Sequence, residues 1–451
     1  VGERFRSFLF AVGDPLNLGF ARFVVFAVMG IRFWTASYVA AAEIPDALLQ
    51  PPLGFGWALP FVPRDPAAVE RLALLLRVAA LAAAVGLFTR LTTVVATVAA
   101  TLLFVIPHLF GHVGHDRHHF IWFAAILAAS PCGDALSLDG WWRRRRGAPA
   151  APPAARYGFP LRAILLTMGV AYFFSGFWKL ASCGPAWFAS DNLANLVVKA
   201  GYIGIGARPE WVRTYSWLAP VGGAVGVAFE LSFLALVVTS RLGRALALAM
   251  AFVFHLGVYL LLGISFAHLL YCYFAFIDVA ALRRLATGAA TPLTPARDTR
   301  VPLASRIVAA LVVLGVGAFG AARIGNGWPF AGYPRFDTLH TPLLTSYVLE
   351  ARQADGRVVR LHDGELGGPP LGRHLFNILR ANQNRVPGLE EADGREARWR
   401  AACTFFWAEN RRLQGATGVR FILEDLDLSE ATPRRLRERV LFECAPPGPR
   451  G

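Results

Sequence analysis

The chain has 451 residues, of which 55% are hydrophobic and only 17% charged, and its mean hydropathy is +0.45. That balance excludes an ordinary soluble domain and points to a polytopic membrane protein. The net charge of +15 would suggest nucleic-acid binding in a soluble chain. Here most arginines flank apolar runs and read as topology signals, so membrane lipid is the expected partner and nucleic acid is not.

In chain order, the opening Val-Gly-Glu-Arg-Phe-Arg does not read as a cleavable signal, and the first apolar run is too long for a signal core. Apolar runs at residues 18–41, 72–88, 92–113, 118–135, 161–180, 217–239, 243–264, 265–280 and 303–323 predict about nine transmembrane helices. Arginine punctuates them. Arg4 and Arg6 precede the first run, Arg90 follows the second, and Arg143 to Arg146 with Arg156 and Arg162 follow the fourth. Arg241 and Arg244 follow the sixth, and Arg283, Arg284, Arg297 and Arg300 follow the eighth. With about nine spans all these loops share one face, which places the N-terminus in the cytoplasm. The Arg143–Arg146 run is a topology signal, with contact to anionic lipid as a side effect. Residues 148–155, rich in Ala and Pro, form a linker.

Residues 1–325 therefore read as an all-α membrane bundle and residues 326–451 as a separate α+β domain outside the cytoplasm. Ser346 to Gln353 and Arg357 to His362 flank Ala354-Asp355-Gly356 as a hairpin. Residues 371–384 and 397–413 predict helices, and 419–426 a strand. The five cysteines form no CxxC pair, so neither a zinc site nor a redox dithiol is expected. Cys403 and Cys444 can pair in an oxidising compartment.

Few residues stand out chemically. Lys179 closes the run 161–180, as an anchor that snorkels to the headgroups or as a base kept near the membrane. His118 and His119 open the fourth run on the same face, as interfacial histidines or site residues. Glu230 lies mid-span, where an unpaired carboxylate is costly, so it is neutral or pairs with a buried base; it reads as a structural ion pair with Arg32 or a neighbouring histidine, or as a catalytic residue. His255, also mid-span, reads as a packing hydrogen bond or a site wall.

These residues recur in a pattern. Tyr172-Phe173-Phe174-Ser175-Gly176-Phe177-Trp178-Lys179-Leu180 resembles the segment that carries the active-site lysine of vitamin K-dependent γ-glutamyl carboxylases. It equally resembles the related bacterial HTTM (horizontally transferred transmembrane) proteins. Arg117-His118-His119-Phe120-Ile121, then Ser137-Leu138-Asp139, is similar to the family's histidine-bearing span and the Ser-x-Asp beyond it. Asp14-Pro15-Leu16, Phe229-Glu230, Phe254-His255-Leu256, Trp328-Pro329-Phe330 and Tyr333-Pro334 extend the resemblance. It departs where Trp178 replaces the first of a lysine pair and Arg117 replaces an asparagine, and much of the animal luminal region has no counterpart. The resemblance implies a bacterial inner-membrane protein with Lys179 as base and His118 steadying the intermediate. His255, Tyr172, Trp178 and Glu230 would line a site for reduced vitamin K or menaquinone, used with O2 and CO2 and no metal. The implied substrate is a peptide or protein glutamate. The alternative is a non-catalytic relative that binds or matures an exported peptide.

Overall fold

The computed structural model describes residues 2–33, 36–111, 113–114, 117–202, 206–288, 300–330, 337–362, 392–409, 413, 415–429 and 432–444. Helix α1 (Gly2–Leu9) precedes α2 (Pro15–Arg32), which begins where Asp14 caps the N–H of Leu16 and Pro15 presets the first turn. After α3 (Ala36–Ala42), α4 (Pro66–Val85) is capped by Asp65 and stopped by left-handed Gly86. Next come α5 (Thr89–Val105), α6 (His118–Ala128), α7 (Leu138–Arg145) and the 29-residue α8 (Ala155–Cys183). Short α9 (Ala186–Ala189), α10 (Asn192–Tyr202) and α11 (Pro209–Thr214) lead to α12 (Leu218–Thr239) and α13 (Arg241–Leu262). Then α14 (Ala267–Leu270), α15 (Val279–Thr287) and α16 (Leu303–Ala321) complete the bundle.

The protein is a mostly helical multi-pass membrane protein. Six described helices, α2, α5 with its continuation to His108, α8, α12, α13 and α16, are long and apolar enough to cross a membrane. The other three expected spans take different forms. Helix α4 has the length but carries Glu70, Arg71 and Arg77. Helix α6 has 11 residues, about 16 Å at 1.5 Å per residue, well short of a hydrocarbon core. Residues 265–280 are not one helix: α13 ends at left-handed Gly263, and four residues of α14 pass into a 3-10 turn, Tyr271–Phe276. The aromatic density from Phe266 to Phe276 gives weak helix propensity.

Contacts sort the helix ends into two layers. At the basal end, Asn17 Nδ2 donates to Asp278 (2.9 Å), Gly13 pairs with Ala154, and Ser305 donates to the carbonyl of Ala129. At the distal end, Arg208 N–H reaches the carbonyl of Leu261, Leu53 N–H that of Asn326, and the Cys183 thiol that of Asp337. Helices α8 and α12 run antiparallel in close approach. A Cβ on Gly176 would sit 2.8 Å from Glu230 Cβ, and one on Gly169 2.8 Å from Leu234 Cδ1. Small residues at such crossings let backbones approach in the absence of water.

The C-terminal part holds an antiparallel sheet in the order β2-β1-β3-β4: β1 (Leu343–Gln353), β2 (Val358–Leu361), β3 (Ala416–Asp427) and β4 (Arg434–Cys444). The expected hairpin is present, turning at left-handed Gly356. Helix α17 (Ala392–Glu409) lays Trp399 on Phe421 and Phe442, and a Cys403–Cys444 disulfide ties it to β4. The expected helix 371–384 and Tyr333-Pro334 lie outside the described residues. Strand β4 was not foreseen, because arginines and two register shifts against β3 break its alternation.

This sheet docks on α10 at the distal end. The Tyr202 hydroxyl donates to the fully buried Glu424, whose other oxygen accepts from Arg435 Nε at 3.1 Å. Val198 packs against Leu426 and Leu428. Asn192 Oδ1 accepts the His340 N–H at 2.7 Å, and Asn195 Nδ2 donates to the His340 carbonyl at 2.9 Å. Burial, reinforced by Glu424, pushes the Tyr202 hydroxyl above its usual range. Burial, with Lys199 nearby, lowers His340 to about 4.

Candidate functional site

Lys179 does not snorkel. Its side chain turns into the α8–α12 interface, where the residue is 5% exposed, and Nζ donates to both oxygens of Glu230 at 2.5 and 2.6 Å. Glu230 is 3% exposed and accepts a further hydrogen bond from Ser175 Oγ at 2.9 Å. The amine lies 5.0 Å from the centroid of the Trp187 ring, a distance at which the aromatic face attracts a cation. Local sequence explains the convergence. Ser175 and Lys179 are four residues apart and share a face of α8, while Gly176 between them lets α12 close in. Glu230 therefore pairs with Lys179, not with Arg32 or a histidine: Arg32 is exposed at the end of α2.

Two turns back on the same face of α8 lies a second polar cluster. His255 Nε2 is 3.1 Å from the Tyr172 hydroxyl and 2.9 Å from that of Tyr273, and the two hydroxyls are 3.1 Å apart. His255 Nδ1 is buried and has no hydrogen-bond partner among the described residues. Phe229, Phe254 and Phe266 surround the ring. Tyr172 also packs on Phe229, the residue beside Glu230, so the two clusters are contiguous.

The remaining expected site residues go elsewhere. His118 is fully buried and meets His108 and Trp122 at 6.1 Å and Trp328 at 4.6 Å between ring centroids. Its described ring contacts form a third group, with the turn after α5 and with Trp328 beyond α16. His119 stacks on Phe120 and Phe123, and Arg117 donates to the Tyr38 hydroxyl at 2.6 Å. Trp178 faces away from Glu230: its Nε1 donates to the Gly320 carbonyl at 2.7 Å, joining α8 to α16, with Arg323 over its ring. A helical turn of about 100° per residue separates it from Lys179.

Sequence reading passed over Ser175, Trp187 and Tyr273 as individuals. Ser175 had a legible signal, its i, i+4 spacing to Lys179; Tyr273 and Trp187 had none, because their placement depends on tertiary packing. It also passed over Arg22, which is completely buried at the basal end and donates to the carbonyls of Ala84 (3.2 Å), Cys132 (3.0 Å) and Leu136. Among the described residues no group of three His, Cys, Asp or Glu side chains is arranged to hold a metal. No protein-family model, curated protein or solved structure matches the chain.

Proposed function

We propose that this protein is a bacterial inner-membrane enzyme of the HTTM and γ-carboxylase-like class. It would use Lys179 as the base in quinol-, O2- and CO2-dependent glutamate carboxylation or quinol epoxidation. The observation that carries the reading is the burial of Lys179 against Glu230. An amine that only anchors a helix reaches for headgroups; this one is held inside the bundle against a buried carboxylate. About nine passes, an inward N-terminus and an outward C-terminal domain complete the proposal. The alternation of basal and distal contacts along the chain supports them, with α6 and the broken segment after Leu262 as short or irregular crossings.

The donor set suits a quinol. His255 Nδ1 is an unpaired hydrogen-bonding atom among aromatic rings, next to the hydroxyls of Tyr172 and Tyr273. The quinol, when bound, supplies the reducing equivalents. Lys179 Nζ passes its proton to Glu230, and the neutral amine then has a lone pair to accept another. Ser175 steadies Glu230 while its charge changes, and the aromatic wall keeps water from competing.

A second reading, a non-catalytic protein that binds an exported peptide, is favoured by the grouping of His118 with His108 and Trp328 instead of Lys179. One experiment separates the two. Purified protein is given reduced menaquinone or vitamin K, a glutamate peptide, labelled CO2 and O2, and both epoxide and incorporated label are measured. The enzyme reading expects turnover in the wild type and none in Lys179→Arg, since arginine keeps the charge but does not act as a base. Equal turnover in both, or none in the wild type, overturns it.

A further inference from the structure

We propose that α7 is a docking platform for anionic phospholipid headgroups at the end of the bundle opposite Lys179. Three observations build it. First, the helix is fixed to the bundle. Asp139 accepts hydrogen bonds from the N–H groups of Phe88 and Thr89 and from the Thr89 hydroxyl, at 2.9, 2.7 and 2.7 Å, and Ser137 caps Gly140. Although burial raises it, these bonds hold the Asp139 carboxyl below its usual range. Arg143 is committed to Asp134 and to the Gly133 carbonyl.

Second, the outward side presents cations in a fixed arrangement. Arg144, Arg145 and Arg146 are exposed and have no carboxylate partner among the described residues. Arg145 stacks over Trp141 at 4.4 Å and Arg146 over Trp142 at 5.9 Å, each four residues on. An indole face restrains a guanidinium while leaving its edge N–H donors free, the geometry that takes phosphate oxygens in pairs. Third, apolar surface adjoins the cations. Trp141 and Trp142 are half-exposed, and Phe88 and Leu91, on the helix start to which Asp139 is bonded, are each 65% exposed. A topology signal requires positive charge alone. Stacked indoles, a pinned helix and an acyl-facing rim suit a ligand that is both phosphate and hydrocarbon, which selects a lipid over a free anion.

The test uses the full chain purified in detergent, with bound lipid counted by native mass spectrometry against dioctanoyl phosphatidylglycerol and dioctanoyl phosphatidylcholine. Wild type should prefer the anionic lipid by about tenfold or more. R144Q/R145Q/R146Q should abolish the preference, and W141A/W142A should weaken it several-fold. R4Q/R6Q/R283Q, which removes the same charge from the same end, should retain it. No preference in wild type, or equal loss in the control triple variant, overturns the site. Displacement by inorganic phosphate as effective as by the lipid would make it an anion site and also overturn the proposal. If the triple variant does not fold, R145Q with the two tryptophan variants carries the test.

Discussion

Among the described residues of the bundle, the cationic side chains of Arg22 and Lys179 are both buried, and they are held in opposite ways. Arg22, at the basal end, is surrounded by backbone carbonyls from the ends of α4 and α6 and the turn beyond. Lys179, on the distal side, is held by one carboxylate and an aromatic ring. Carbonyl dipoles do not take up protons, and a guanidinium does not release one. Arg22 is therefore a structural tie between the end of α4 and the turn that joins α6 to α7. The Lys179–Glu230 pair instead joins a buried amine to a buried carboxylate, two side chains whose chemistry differs from that of a carbonyl cage.

The largest effect should come from Arg22→Met, which strands three carbonyls in a dry site. A loss of about 3–5 kcal/mol is expected in denaturant unfolding of the detergent-solubilised protein. No second side-chain change should rescue it, since the partners are backbone. Lys179→Met should cost about 3 kcal/mol by leaving Glu230 buried and unpaired, whereas Lys179→Met/Glu230→Leu should recover most of that stability. Rescue of Arg22, or failure to rescue Lys179, would erase the distinction between tie and pair. Gly176→Val should cost about 2 kcal/mol by forcing α12 off α8, and any quinol-dependent turnover should fall with it. Ser175→Ala should cost about 1 kcal/mol and shift the pH profile of turnover while leaving the fold unchanged. A flat profile would mean that Ser175 only packs.

The smallest effect lies outside the bundle. Folding holds His340 at about 4, below the ordinary 6.5. The unfolded state thus binds more protons in that window. The stability of the docked sheet should be complete above about 6.5 and decline as pH falls toward 4. Limited proteolysis of β1 and β3 against pH reads this, and His340→Gln should flatten the response.

The parts legible in sequence were those governed by local pattern. The long apolar runs became α2, α5, α8, α12, α13 and α16. Lys179 and Glu230 were each visible as costly residues in apolar surroundings. Their pairing was not, because it arises from the α8–α12 crossing and the space left by Gly176. Nor was the partner of Trp178 legible, since its bond to the Gly320 carbonyl depends on how α16 packs against α8. Strand β4 escaped notice because its binary pattern is broken by register shifts against β3.

The irregular passage after α13 bears on how the protein is assembled. Between Leu261, near Arg208, and Asp278, near Asn17, the chain runs from one layer of helix ends to the other with only short turns. A segment that does not satisfy its own backbone cannot partition alone into lipid. Its backbone groups are satisfied only once neighbouring helices such as α2 and α13 are in place around it. The bond from Asn17 to Asp278 then joins the start of the first long helix to residues made 261 positions later. That contact forms only after residue 278 has been made, with α16 still to be added.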